Sequence, residues 1–178
     1  MSSTKKLKLE ELNRIDVETF KQTKKIPLVL VLDNVRSMHN VGSVFRTADA
    51  FVVEKIILCG ITPIPPHREI QKAALGATES VDWHHYTDVC EALGDLKNQG
   101  YQCIGVEQTT TSQSIESFPI KRDLRYALVL GNEVDGLSDN SLSLYDHFLE
   151  IPQYGTKHSL NVSICAGIVI WEFFKTLH

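Results

Sequence analysis

The sequence predicts an α/β domain built on a mostly parallel six-stranded sheet with helices on both faces. Short apolar or β-branched runs alternate along it with longer segments of helical periodicity. Several of those runs are apolar at successive positions, as strands covered on both sides are. The length, 178 residues with 43% hydrophobic and 22% charged, suits one well-buried core and is short for two ordinary domains.

The organisation is expected to be a basic arm, residues 1–25, followed by a body, residues 26–178. The arm carries seven Lys/Arg against four acids, and the rest of the chain eleven against eighteen. A basic arm on an acidic body points to a polyanionic partner, because Lys and Arg gain affinity by displacing counterions from phosphates. Within the arm, Leu9, Leu12, Ile15 and Thr19/Phe20 stand at helical spacing and predict one amphipathic helix over 7–20.

In the body the predicted strands are "PLVLVLD" (27–33), "EKIILCG" (54–60), "SVDWHHY" (80–86), "YQCIGVE" (101–107), "RYALVLG" (125–131) and "HFLEIP" (147–152). Helical patterns lie between them at 40–51, at about 67–75, in "TDVCEALGDLKNQ" closed by Gly100, in "SDNSLSLYD" and in "NVSICAGIVIWEFFKTL". The polar stretch 109–123, "TTTSQSIESFPIKRD", reads as one long loop.

Composition excludes several classes. The N-terminus has no apolar core of the signal-peptide kind, and no run suits a membrane span, so a cytoplasmic location is expected. Cys59, Cys90, Cys103 and Cys165 are scattered singly, with no CxxC pair and no histidine at ligand spacing. They read as buried reduced thiols, and no metal site is expected. His84 and His85 alternate across a strand, so at most one faces the core. GxGxxG and GxxxxGK[ST] are both missing, which disfavours a flavodoxin-like or Rossmann-like nucleotide enzyme.

Ligands of such sheets bind beyond the carboxyl ends of the strands. That rule selects "DNVRSMHNVGSVFRT", "LGNEVDGLS" and "IPQYGTKHSLNVS". On the first, a helical wheel puts Val41, Val44, Phe45 and Ala48 on one core-facing stripe, with Arg46 opposite among Gly42, Ser43, Asp49 and Ala50. Short neighbours leave room for a ligand or another backbone beside the guanidinium, and the bland alternative is an intrahelical pair with Asp49. Asn40 stands where it can cap this helix or offer its amide to a ligand. The third segment opens a nearly all-apolar helix with Ser159, Asn161 and Ser163, and capping explains only one of Ser159 and Asn161.

Together "NVGSVFRTADAF", "LVLGNEVDGLS" and "IPQYGTKHSLNVSICAG" resemble the three motifs of the SpoU (TrmH-type) branch of the SPOUT RNA methyltransferases, in family order, over residues 26–178. Val134 stands where glycine is expected and Gln153 where methionine is usual, and the basic arm takes the place of the RNA-binding domain of some relatives.

The resemblance implies a C-terminal deep trefoil knot, which general topology rules would not predict. It implies a homodimer with the active site at the interface, and methyl transfer from S-adenosylmethionine to a ribose 2′-oxygen of tRNA or rRNA, tRNA placed first. The cofactor would lie against Val106, Leu130, Gly131, Ile151, Ser159 and Leu160. Arg46 and Asn40 would centre on the target nucleotide, with Glu133, Ser159 and Asn161 ordering it. A guanidinium presents donors only, so Arg46 suits a developing alkoxide or a phosphate better than proton abstraction. Glu133 is the alternative base if burial raises its pKa. Arg36, Arg68, Lys72, Lys157, the Lys121/Arg122/Arg125 cluster and the arm are the candidate RNA track. The rival is a catalytically silent domain of the same fold that binds RNA and cofactor.

Overall fold

A computed structural model describes residues 4–178. Seven parallel strands form one sheet in the order β3-β2-β1-β6-β4-β7-β5. They are β1 (Ile26–Asp33), β2 (Val53–Cys59), β3 (Trp83–Tyr86), β4 (Tyr101–Val106), β5 (Gln113–Ser114), β6 (Arg125–Leu130) and β7 (His147–Glu150). The helices are α1 (Val17–Gln22), α2 (Met38–Ala50), α3 (Arg68–Ala74), α4 (Ala77–Ser80), α5 (Val89–Asn98) and α6 (Val162–Leu177), with 3-10 turns at Leu9–Leu12 and Asp139–Leu144.

The expected six strands are present, and the seventh, β5, falls in the stretch read as loop. Gln113–Ser114 carries no hydrophobic signal, and among the described residues its only strand partner is β7, through Leu149 and Glu150. A two-residue edge strand of this kind is created by long-range pairing, which local pattern does not reveal.

Alternation along β1 divides the core. Leu28, Leu30 and Leu32 face one cluster, with Val41, Val44, Phe45 and Ala48 of α2, Ile70 of α3 and Val169, Ile170 and Phe173 of α6. Val29 and Val31 face the other, with Val89, Ala92, Leu93 and Leu96 of α5. Both faces of the central strands are therefore buried, the condition under which parallel strands read as unbroken apolar runs.

The single helix expected over 7–20 is broken. Asn13 sits in the left-handed region at φ 47° as it ends the 3-10 turn, and the Asp16 carboxylate starts α1 by accepting from the Thr19 amide at 2.8 Å. Among the described residues of the arm only Phe20 enters the core, while Leu12 and Ile15 stay exposed. The side chain of Leu9 and residues 1–3 of the arm lie outside the described residues. "SDNSLSLYD" forms a 3-10 turn rather than an α-helix. No described helix is long and apolar enough to cross a membrane.

The last helix, nearly all apolar in sequence, is not buried all round. Leu160 just before it and Ile164, Ile168 and Trp171 along it are exposed, Ile164 at 57% and Trp171 at 49%. The spacing of 4, 4 and 3 residues puts them in one stripe facing away from the sheet.

Candidate active site

The three selected segments meet beyond the carboxyl ends of β1, β6 and β7. Ser37, rather than Asn40, caps α2: its Oγ accepts from the Asn40 amide at 3.2 Å. The helix thus begins two residues earlier than the sequence suggests. Asn40 lies inside the first turn with its side chain free for other partners.

Those partners are Glu133 and Asn161. The Asn40 Nδ2 donates to Glu133 Oε1 at 3.1 Å, and the Asn161 Nδ2 donates to Asn40 Oδ1 at 3.1 Å. Asn161 also caps α6, its Oδ1 accepting from the Ser163 amide at 2.9 Å and from the Ser163 hydroxyl at 2.6 Å. The backbone amides of Arg36 and Ser37 donate to Glu133 at 3.0 and 3.1 Å. One relay therefore joins a loop carboxylate, the start of α2 and the start of α6.

Burial works to raise the Glu133 pKa, but the amides of Arg36, Glu133 itself and Ser37 and the Asn40 side chain outweigh it, and the net direction is downward. The condition for Glu133 as a base, a raised pKa, is not met. The carboxylate instead faces the positive end of the α2 dipole, which favours the charged form.

The 131–136 loop is closed by paired backbone bonds between Asn132 and Gly136 of 2.8 and 3.0 Å. Gly131 and Gly136 pack so tightly that a Cβ at Gly131 would overlap the Gly136 carbonyl. The Asn132 Oδ1 accepts from the amides of Val134 and Asp135, and its Nδ2 donates to the Asn34 carbonyl at 2.8 Å. Val134, in place of the expected glycine, is 79% exposed and not among the residues of positive φ, so the loop holds valine without strain.

Two adjoining cavities, of about 300 and 130 Å³, open beside this loop. The larger is walled by Leu130, Gly131, Ser159, Leu160 and Asn161, the smaller by Val106, Ile151, Ser159 and Leu160. All six residues expected around the cofactor therefore border one or both. Glu107, Asn132 and Cys165 also line them and were missed by the sequence reading. Asn132 had a signal, since Asn after Gly in a turn commonly bonds its own backbone. Glu107 and Cys165 had none, because each is placed by the end of a strand or the turn of a helix.

Arg46 is not drawn into these cavities. It is exposed and borders neither, and among the described residues it has no ion-pair partner. Six residues from Asn40, it points about 120° round the helix from it. Asp49, the expected intrahelical partner, instead accepts from Ser80 Oγ. Gly42 does not open a path to Arg46: a Cβ there would overlap the Ile70 carbonyl and lie 2.7 Å from the Ala73 Cβ, so its smallness seats α3.

Of the candidate RNA track, Arg36, Arg68, Lys72 and Lys157 are all exposed. Arg125 is committed elsewhere. At the amino ends of the strands it pairs with Glu54 at 3.1 Å, hydrogen-bonds Tyr101 and stacks over that ring at 4.0 Å. That network lies at the edge of the sheet opposite the cavities. His84 and His85 are both exposed on edge strand β3, so neither faces the core. Among the described residues no group of His, Cys, Asp and Glu is arranged to hold a metal ion.

The SpoU rRNA Methylase family profile matches residues 27–171. A Staphylococcus aureus (strain MSSA476) protein named for the TrmH family of tRNA/rRNA methyltransferases is 30% identical over 158 residues, 89% of this chain and 62% of its own. The 23S rRNA (guanosine-2′-O-)-methyltransferase RlmB of Vibrio parahaemolyticus is 32% identical over 163 residues, 92% of this chain and 65% of its own. The chain thus spans a little under two thirds of the length of these relatives. The crystal structure of an AdoMet-bound rRNA methyltransferase from Sinorhizobium meliloti superposes with a TM-score of 0.79 at 26% identity, covering 88% of this chain and 59% of that one. With the profile covering most of its length, the chain belongs to the SpoU rRNA Methylase family.

Proposed function

We propose that this chain is an S-adenosylmethionine-dependent RNA methyltransferase that modifies a ribose 2′-oxygen. The observation that carries the reading is the relay from Glu133 through Asn40 to Asn161, which ties all three motifs together at the mouth of the cavities. Relatives named as rRNA and tRNA/rRNA methyltransferases support the substrate class, and tRNA is placed first.

The cavities fit the cofactor. Leu130, Val106, Ile151 and Leu160 offer apolar surface to a flat ring, and the close-packed Gly131–Gly136 turn exposes backbone polar groups that no side chain can cover. S-adenosylmethionine supplies a methyl group on a positively charged sulfur. The residues of this chain bind and orient: Ser159 and Leu160 border both cavities, and Asn40 and Asn161 present amides where the target ribose would be ordered. Arg46 supplies charge. Its guanidinium stabilises negative charge growing on the ribose oxygen, or clamps the neighbouring phosphate. Arg36, Arg68, Lys72, Lys157 and the arm carry the RNA backbone.

The exposed position of Arg46 supports a site completed across a homodimer interface, which would bring it to a ribose held by the other protomer. The apolar stripe of Leu160, Ile164, Ile168 and Trp171 supports α6 as part of that interface. The topology supports the knot: β7 enters the sheet between β4 and β5, two strands already joined by residues 107–112, before α6 packs back against β1 and α2. Residues 26–178 would form the methyltransferase domain and 1–25 an arm, in a cytoplasmic protein.

The test is methyl transfer from labelled S-adenosylmethionine to unmodified bulk RNA, with tRNA and rRNA fractions compared and the modified nucleotide mapped. Label in a 2′-O-methyl nucleotide at one position of the tRNA fraction is the expected result. Tight cofactor binding with no incorporation into either fraction would favour the catalytically silent domain.

A further inference from the structure

We propose that Glu107 is a specificity-determining residue that reads the sulfonium charge of the cofactor, favouring the methyl donor over its neutral demethylated product. The inference rests on the cofactor reading above and goes beyond it.

Glu107 follows β4 and borders both cavities. Its Oε1 accepts only the amide of its neighbour Gln108, at 2.9 Å. Its Oε2 rests against Gly136, where a Cβ would collide with it and where φ is +72°. A side chain at 136 would therefore displace the carboxylate. Cys165 borders the same cavities, and its thiol is pushed up to about 11, first by burial and then by the charge of Glu107.

Two other carboxylates line the cavities, and each has at least one donor from elsewhere in the chain. Glu133 takes two backbone amides and the Asn40 amide, and Glu150 accepts from Ser112 Oγ at 2.7 Å. Among the described residues no Lys or Arg borders either cavity, and His158 borders the smaller. Glu107 has no ion pair with any described residue. Three carboxylates without a Lys or Arg make a site that favours a positively charged occupant, and Glu107 is the one of the three that borders both cavities.

The methyl donor and its product differ in one respect relevant to charge. The donor carries a sulfonium and the product a neutral thioether, while the ribose hydroxyls, ammonium and carboxylate are common to both. A carboxylate directed at the sulfur separates the two ligands, and one that holds a shared group does not. Such a preference favours loading of the donor and release of the product.

The experiment is calorimetric titration of wild-type protein and Glu107→Gln with S-adenosylmethionine and with S-adenosylhomocysteine, without RNA. Glu107→Gln is expected to weaken the donor about tenfold and the product less than about twofold. Glu107→Asp, which keeps the charge, is expected to hold the ratio of the two affinities within about threefold of wild type. This second variant carries the test if Glu107→Gln melts early. Equal weakening of both ligands, or no change in either, overturns the proposal and leaves the cofactor reading standing. Wild-type protein that binds neither ligand overturns both.

Discussion

Asn161 and Asn40, 121 residues apart in the chain, meet side chain to side chain at 3.1 Å. The contact joins the first turns of α2 and α6, and it is possible only because Ser37 has taken over the capping of α2. Asn161 performs two tasks with one amide. Its oxygen caps α6 and its nitrogen holds Asn40, whose own nitrogen holds Glu133.

The two tasks can be separated. Asn161→Ala removes both, and loss of the cap is expected to cost about 1 kcal/mol in denaturant unfolding. Asn161→Asp keeps an acceptor at the cap but replaces the donor to Asn40 with a second acceptor. It should stay within about 0.5 kcal/mol of wild type in stability while losing most methyl transfer. Full activity in Asn161→Asp would show that the Asn40 contact is incidental.

Arg46→Lys keeps the charge and loses the planar fork. If the guanidinium acts on the ribose oxygen or its phosphate, turnover falls about 100-fold or more while cofactor affinity stays within a few-fold. Steady-state rates and calorimetry on the same preparation check this. Parallel loss of both would make Arg46 structural.

Two glycines are expected to be intolerant for different reasons. Gly42→Ala drives a methyl into the Ile70 carbonyl and should destabilise the fold by about 1–3 kcal/mol through the α2–α3 contact. Gly131→Ala forces the 131–136 turn apart and should abolish cofactor binding. Chemical denaturation and calorimetry together distinguish the two patterns.

The lowered Glu133 pKa sets a pH dependence. Its contribution to stability is complete above the ordinary carboxylate range and is lost as the pH falls through the lower folded value. Glu133→Gln should therefore melt slightly below wild type at pH 7, by about 1–3 °C for so exposed a group. The gap should close below about pH 4. A gap that widens in acid would reverse the sign of the shift.

Much of the fold was legible because it is written in short-range pattern. The stripe of Val41, Val44, Phe45 and Ala48 has a helical period, and the double-sided apolar character of β1 and β6 announces a covered parallel strand. Residues 7–20 also showed a helical period, yet the Asn13 and Asp16 backbone choices broke the helix there. Asn and Asp side chains compete locally for backbone groups, so apolar spacing alone overstated the element.

The sequence by itself determined the class of fold, the three segments that meet at the carboxyl edge and the six residues expected around the cofactor, because periodicity and motif spacing are properties of the chain. Only the tertiary structure decided that Ser37 rather than Asn40 caps α2, that β5 joins the sheet, that Glu107 faces the cavities and that Arg46 points away from them. Those outcomes depend on which distant groups satisfy each hydrogen bond and charge, and partners 30 to 120 residues away leave no local trace.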